Sequence, residues 1–221
     1  MKIDILTIFP NMFTGFLTES IIKRAINNNL VTIKIHDFRE YSNDIHGKVD
    51  DTPYGGGAGM VLMCQPIFDC LESIKTKDSK IIMLTPEGEV YKQKTAISLA
   101  KEKHLIFLCG HYEGFDERIK TMCDMFISVG DFILTGGEIP AMLIIDSIVR
   151  LIDGVIDQES LKCESFNNLL LDYPNYTKPR DFNGLKVPDV LLSGNHQKIA
   201  EYRLNEQIKR TKKLRPDLKE D

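Results

Sequence analysis

The sequence predicts an α/β protein: a mostly parallel sheet covered by helices, with a small helical module near the C-terminal end. Three observations carry this prediction. Apolar, β-branched runs alternate with helical patterns over residues 1–153, glycines cluster just after those runs, and basic residues gather late in a chain that is otherwise acidic.

The runs KIDILTIF (2–9), VTIKIHDF (31–38), KIIMLT (80–85) and HLIFLCG (104–110) have the length and residue types of buried strands, and MFISVG (125–130) is a weaker fifth. Residues 18–28, 65–75, 92–102 and 138–153 carry helical spacing or strong helix formers. The last of these helices has Pro140 in its first turn and stops at Gly154. It is apolar almost all round, so it is expected to be buried on every side, in the core or against a second subunit. Asp146 and Arg150 lie four apart on one of its faces. They are either an internal salt bridge or part of an active site, because a guanidinium on a buried helix costs several kcal/mol unless it is fully paired.

Residues 154–187, rich in Asp, Asn, Pro and Lys without a sustained period, read as a linker between a domain over 1–153 and a module over 188–221. The helix of the module starts near Ser193-Gly194-Asn195, an N-cap, and ends before Pro216. Its apolar residues Ile199, Tyr202 and Ile208 are too few for an independent core, so it must lean on another part of the molecule.

Apolar residues make up 43% and charged residues 27%, which excludes disordered and fibrous classes. The N-terminus MKIDILTIFPNMF has neither the apolar core nor the cleavage site of a signal peptide. The longest apolar stretch, residues 139–152, is interrupted by Asp146, Ser147 and Arg150, so no membrane span is expected and the protein is expected in the cytoplasm. Cys64, Cys70, Cys109, Cys123 and Cys163 are scattered and never form C-x-x-C, so they read as reduced core residues and no metal site is expected. The net charge is −4, yet residues 178–215 hold ten Lys or Arg against four Asp or Glu, a local +6 that leaves −10 elsewhere. Such asymmetry fits a surface that meets nucleic-acid phosphates, or a solvated helix face.

Ligands of open α/β sheets sit beyond the carboxyl ends of the strands, where this chain carries its glycines. VDDTPYGGGAGM (49–60) sets Tyr54 beside Gly55 and Gly56, and on residue types alone is a flexible loop or a ligand loop. It has neither the G-K-[ST] ending of a P-loop nor dinucleotide spacing. LCGHYEGFDERI (108–119) directly follows a strand and offers a carboxylate, Glu113. GDFILTGGEIPA (130–141) leads paired glycines into the apolar helix, and its backbone groups can read an adenine edge without a charged side chain, which suits a cofactor lacking phosphate.

Together DILTIFPNMF, VDDTPYGGGAGM, CGHYEGFDERI, GDFILTGGEIPAM, LLLDYPNYTKP and LLSGNHQKI resemble, in order and spacing over nearly the whole chain, the bacterial tRNA (guanine-N1)-methyltransferases of the knotted SPOUT class. That resemblance implies a deep trefoil knot, a homodimer, S-adenosylmethionine as cofactor, magnesium accompanying the substrate, and tRNA as partner, methylated at N1 of guanosine 37. By matching position it implies a cofactor site of Pro86, Gly110, Tyr112, Glu113, Gly114, Ser128, Val129, Phe132, Leu134, Gly136 and Gly137. Arg150 falls on the catalytic arginine, and Glu164 falls where the pattern has an aspartate as general base. Tyr54, Gly55, Gly56, Lys209 and Arg210 are the expected tRNA-binding residues. The chain departs from the pattern at Glu164, at Ala58 in place of proline, at His111 in place of arginine, and in a C-terminal module expected to be somewhat short.

Overall fold

Five of the apolar runs form one sheet. Strands β1 (Lys2–Thr7), β2 (Thr32–Asp37), β5 (Ser79–Val90), β6 (His104–Leu108) and β7 (Met125–Ser128) lie in the order β2-β1-β6-β5-β7, every neighbouring pair parallel. Strands β3 (Asp50–Asp51) and β4 (Val61–Leu62) make a short antiparallel ladder of their own. Parallel neighbours require crossover connections, and helices α1 (Thr14–Thr18), α2 (Ser20–Asn27), α3 (Cys64–Ile74), α4 (Gln93–Leu99) and α5 (Glu138–Val149) supply the regular parts of this unit outside the sheets. The computed structural model describes residues 1–157, 161, 164–166 and 168–219. It divides into two compact units, Met1–Ile156 and Asp157–Asp221. Cys163 lies outside the described residues; Cys70 and Cys109 are buried, and Cys64 and Cys123 partly so.

The alternation of side chains along each strand builds a core on both faces of the sheet. Ile3, Ile5, Ile82, Leu105 and Phe107 pack on one side with Ile22, Ala25, Leu99, Ile144 and Ile148. Leu6, Met83, Ile106 and Leu108 pack on the other with Ile67, Cys70, Leu71 and Ile119. Two expectations change. The run ending in VTIKIHDF is an edge strand, β2, with half-exposed or exposed side chains, since a terminal position in the sheet leaves it less covered. The run KIIMLT continues to Val90 instead of stopping at 85, because β5 shifts register between Leu84 and Glu89 and pairs Ile127 twice. Pro86 is tolerated at such an irregularity.

A polar cluster ties the strands together on the α3 side. Asp4, wholly buried, lies 2.7 Å from Lys2 Nζ, 2.8 Å from His36 Nε2 and 2.6 Å from His104 Nε2, and Ser79 Oγ lies 2.7 Å from His104 Nδ1. One carboxylate thereby links β1 to β2 and β6, and through His104 to β5. Among the described residues no buried polar side-chain atom lacks a hydrogen-bond partner.

In the second unit, β8 (Asp181–Phe182) and β9 (Leu185–Lys186) form a hairpin whose turn residues Asn183 and Gly184 have φ of 53° and 82°. Positive φ at both central positions is what an Asn-Gly two-residue turn provides. Helices α6 (Asp189–Leu192) and α7 (His196–Leu214) follow. Asn195 caps α7, its side chain accepting from Lys198 N at 3.1 Å. What α7 leans on is the segment before the hairpin: Leu171 N donates to buried Thr211 Oγ1 at 2.8 Å, and Arg203 stacks over Tyr173 at 4.5 Å. The stretch 154–187, expected as a linker, therefore includes among its described residues the packing partner of the helix and a hairpin of the second unit.

The Asp4 cluster yields a stability prediction. Burial alone would raise the Asp4 carboxyl, but hydrogen bonds from His36, Lys2 and His104 outweigh it and hold it well below its usual value of 3.8. A depressed carboxyl stabilises the fold fully above its unfolded-state value and progressively less as pH falls below it. Asp4→Asn is expected to lose about 3 kcal/mol in urea unfolding at pH 7. The gap to wild type should narrow below about pH 4; a gap that is constant from pH 7 to pH 3 would contradict the assignment.

Candidate active site

The strands β5, β6 and β7 end or bend on one side of the sheet, and the segments that follow enclose a cavity of about 400 Å³. The volume lies within the range of small-molecule sites, and the position is the one expected for a ligand in an open α/β sheet. Its walls come from residues 83–87 of β5, 110–115 after β6, and 127–130 and 132–137 in and after β7, with Glu117, Lys120 and Pro140.

Close backbone approach shapes this cavity. Gly137 N donates to Gly110 O at 2.9 Å, and His111 bridges Gly136. A Cβ built on Gly137 would stand 2.6 Å from Cys109 Cα and 2.9 Å from Gly110 N, both backbone atoms that cannot swing away. A Cβ on Gly88 would stand 2.4 Å from Ile127 N, which is how β5 passes β7 at its register shift. Two residues with positive φ border the opening: Tyr112, left-handed at 59°, and Gly114 at 107°, which its lack of a side chain allows. A non-glycine residue in that region is held there only by surrounding contacts.

The residues that the resemblance assigns to the cofactor, Pro86, Gly110, Tyr112, Glu113, Gly114, Ser128, Val129, Phe132, Leu134, Gly136 and Gly137, all line this one cavity. Ser128 Oγ donates to Gly130 O at 3.1 Å and accepts from Gly130 N at 3.2 Å, fixing the start of the β7 loop, while Phe132 folds over Gly130. The Glu113 side chain lies where a Cβ on Gly59 would be, at 2.4 Å from its Oε1, and Glu113 N donates to Met60 O. The loop over residues 54–59 is thereby joined to the cavity wall through Gly59 and Met60. Its Tyr54 is fully exposed, and Gly55 and Gly56 have φ of 87° and 80° with open space around them.

Three cavity groups were not singled out from sequence. Lys120 Nζ bridges Glu87 at 2.6 Å and Glu117 at 2.7 Å, and those carboxylates, Glu117 first, make its ammonium harder to deprotonate. With Glu113 this leaves the lining with more carboxylate than ammonium charge. Behind the wall, His111 Nε2 lies 2.8 Å from Glu138 Oε2, whose other oxygen accepts from Thr7 Oγ1 at 2.6 Å. His111, the departure from the expected arginine, is held by this carboxylate and by the edge of Phe9, with ring centroids 4.6 Å apart. Burial, and after it the Glu138 charge, pushes the nearby Cys109 thiol well up and disfavours the reactive thiolate.

The remaining expected residues lie elsewhere. Arg150 caps the C-terminal end of α5, half-exposed, and Asp146 is exposed. The helix is not covered on every side within one chain, since Ile139 and Leu143 are each 50% exposed. Glu164, half-buried, belongs to the second unit, as do Lys209 and Arg210 on α7; Lys209 lies 3.5 Å from Glu206. Among the described residues no three His, Cys, Asp or Glu side chains converge as a metal site.

The geometry predicts a strong effect at a single methyl group. Gly137→Ala, whose new Cβ meets only backbone, is expected to cost about 2 kcal/mol or more through overpacking. A melting temperature lowered by roughly 4–8 °C would register that loss; an unchanged value would show that the β6 and β7 loops are not in such close contact.

Comparison with known proteins accords with this architecture. A family described as "tRNA (Guanine-1)-methyltransferase TrmD" matches residues 1–221. Proteins named tRNA (guanine-N(1)-)-methyltransferase are 59% identical in Malacoplasma penetrans over 99% of this chain and 96% of the relative, and 55% identical in Shouchella clausii over 99% and 91%. The Bacillus subtilis protein of the same name is 54% identical over 100% of this chain and 93% of its own. With its parallel sheet, its glycine-built cavity and this similarity along its full length, the chain belongs to the tRNA (guanine-N1)-methyltransferase family.

Proposed function

We propose that this protein transfers a methyl group from S-adenosylmethionine to N1 of guanosine 37 in tRNA, next to the anticodon, as a cytoplasmic homodimer, with magnesium accompanying the tRNA. The observation that carries the reading is the lining of the cavity. Glu87, Glu113 and Glu117 share the lining with a single lysine that two of them already engage, beside apolar and backbone surface from Pro86, Val129, Phe132, Leu134, Gly136 and Gly137. Such a lining disfavours phosphate and suits a cationic nucleoside. S-adenosylmethionine supplies, when bound, a methyl group on a positively charged sulfur.

The residues divide the remaining work. Guanine N1 holds a proton at neutral pH, so a base must take it as the ring nitrogen attacks, and a cation near O6 stabilises the charge that develops. Glu164 is the base and Arg150 the cation in this proposal. Tyr54, Gly55 and Gly56 meet the substrate from the exposed glycine loop, and Lys209 and Arg210 meet its phosphates from α7. The homodimer forms over α5, whose half-exposed Ile139 and Leu143 form an apolar stripe at helical spacing. The contacts between residues 110–111 and 136–137 support threading of these loops as a trefoil knot, a topology rare among folds. Among the described residues no helix is long and apolar enough to cross a membrane, in keeping with a cytoplasmic enzyme.

The direct test is transfer of radiolabelled methyl into an unmodified tRNA transcript, with the product nucleoside identified. N1-methylguanosine is expected, and a ribose-methylated or other base product would replace this reading. Glu164→Gln should keep shape while removing basicity, lowering single-turnover transfer by at least about a hundredfold with tRNA and cofactor binding nearly unchanged. Wild-type rate in that variant would move the role to Asp157 or Asp172; Glu159, a further candidate by sequence, lies outside the described residues. Reversing Lys209 and Arg210 to Glu should weaken tRNA binding and flatten its salt dependence. Unaltered affinity would make this face of α7 an ordinary solvated surface.

A further inference from the structure

Glu138 is 1% exposed, lies in the first turn of α5, and does not line the cavity, yet it holds one group that does. Its Oε1 accepts from Thr7 Oγ1 at 2.6 Å, and its Oε2 lies 2.8 Å from Nε2 of His111, a residue of the cavity wall. Thr7 Oγ1 in turn accepts from Phe9 N at 2.9 Å. One carboxylate therefore joins the end of β1, the loop after β6 and the helix that follows the β7 loop. We infer that Glu138 is a positioning residue, which sets the affinity of the cavity for the methyl donor by holding His111 and, through it, the 110–114 wall.

Burying a carboxylate costs several kcal/mol unless its partners are well placed, and an apolar side chain would fill the same space without that cost. The N-terminal end of α5 favours negative charge there, but a helix end alone does not require a second acceptor oxygen aimed at a loop. The loop needs it. His111 packs edge-on against the Phe9 ring and beside Gly136, where a Cβ would come within 2.1 Å of Nε2, so the ring occupies space that only a glycine at 136 leaves open. The next residue, Tyr112, stands at φ 59°, and strain of this kind persists only while neighbours enforce it. Releasing His111 lets Tyr112 relax and moves Glu113 and Gly114, all of which line the cavity.

The inference rests on the proposed binding of S-adenosylmethionine in this cavity, and the experiment separates the two. Calorimetric titration with S-adenosylmethionine is performed on wild type, Glu138→Gln, His111→Phe and the double variant. The Gln amide has one acceptor oxygen and cannot accept from both Thr7 Oγ1 and His111 Nε2, and the Phe ring keeps volume without nitrogen. Each single variant is expected to bind about tenfold more weakly, and the double variant no more weakly than either, because both remove one interaction. In steady state, KM for S-adenosylmethionine should rise by a similar factor while KM for tRNA changes less than twofold. General destabilisation would instead move both constants together. If wild type fails to bind S-adenosylmethionine, the proposed function falls and this inference with it. If wild type binds and the variants bind equally well, or their losses multiply, the inference alone is overturned. Should Glu138→Gln not fold, Thr7→Val paired with His111→Phe tests the same linkage, with the same non-additive weakening expected and additive losses overturning it.

Discussion

The structure of the first unit depends on how closely its backbone segments pass one another around the cavity. Gly137 against Cys109 and Gly110, and Gly88 against Ile127, leave no room for even one carbon atom of side chain. A cavity walled by backbone offers fixed N–H and C=O groups in place of flexible side chains, which gives a site pre-organised for a small ligand. The same closeness transmits displacement, since closely packed segments relieve strain by moving together.

The sheet supports that arrangement from beneath. Its two apolar cores clamp β1, β5 and β6, and the Asp4 cluster joins four strands through Asp4, His36, His104 and Ser79. A rigid sheet beneath and functional loops at the carboxyl ends of its strands is the division of labour general to α/β sites, where scaffold and loop carry separate demands. The polar groups near the cavity follow the same pattern. Glu138 and Thr7 are buried and fully engaged, whereas Glu87, Glu117 and Lys120 are at the cavity surface with their charges accessible to a ligand.

Much of this was legible in the sequence because it is written in local pattern. Five apolar runs name the strands, Asn195 caps its helix as its residue type suggests, and the glycine-bearing segments after strands converge on one cavity. What escaped depends on distance along the chain. Thr7 and Glu138 are 131 residues apart, so nothing in either neighbourhood announces their hydrogen bond. Gly88 looks like a loop glycine until β7 is laid beside it. The hairpin at Asn183-Gly184 is a different case: the dipeptide is a strong local turn signal, overlooked within a stretch that lacked periodicity. The apolar circumference of α5 predicts burial on every side, whereas one chain leaves Ile139 and Leu143 half-exposed, and composition alone does not say what covers them.

The central claim is that the loops after β5, β6 and β7 act together as the site of the methyl donor. Amide hydrogen exchange with and without saturating S-adenosylmethionine tests it most directly, because it reads the backbone that forms the walls. Slowed exchange is expected to concentrate in residues 85–88, 110–114 and 129–137, with the β2 edge and helix α7 unaffected. Protection confined to one of these loops, or centred on residues outside them, would contradict it.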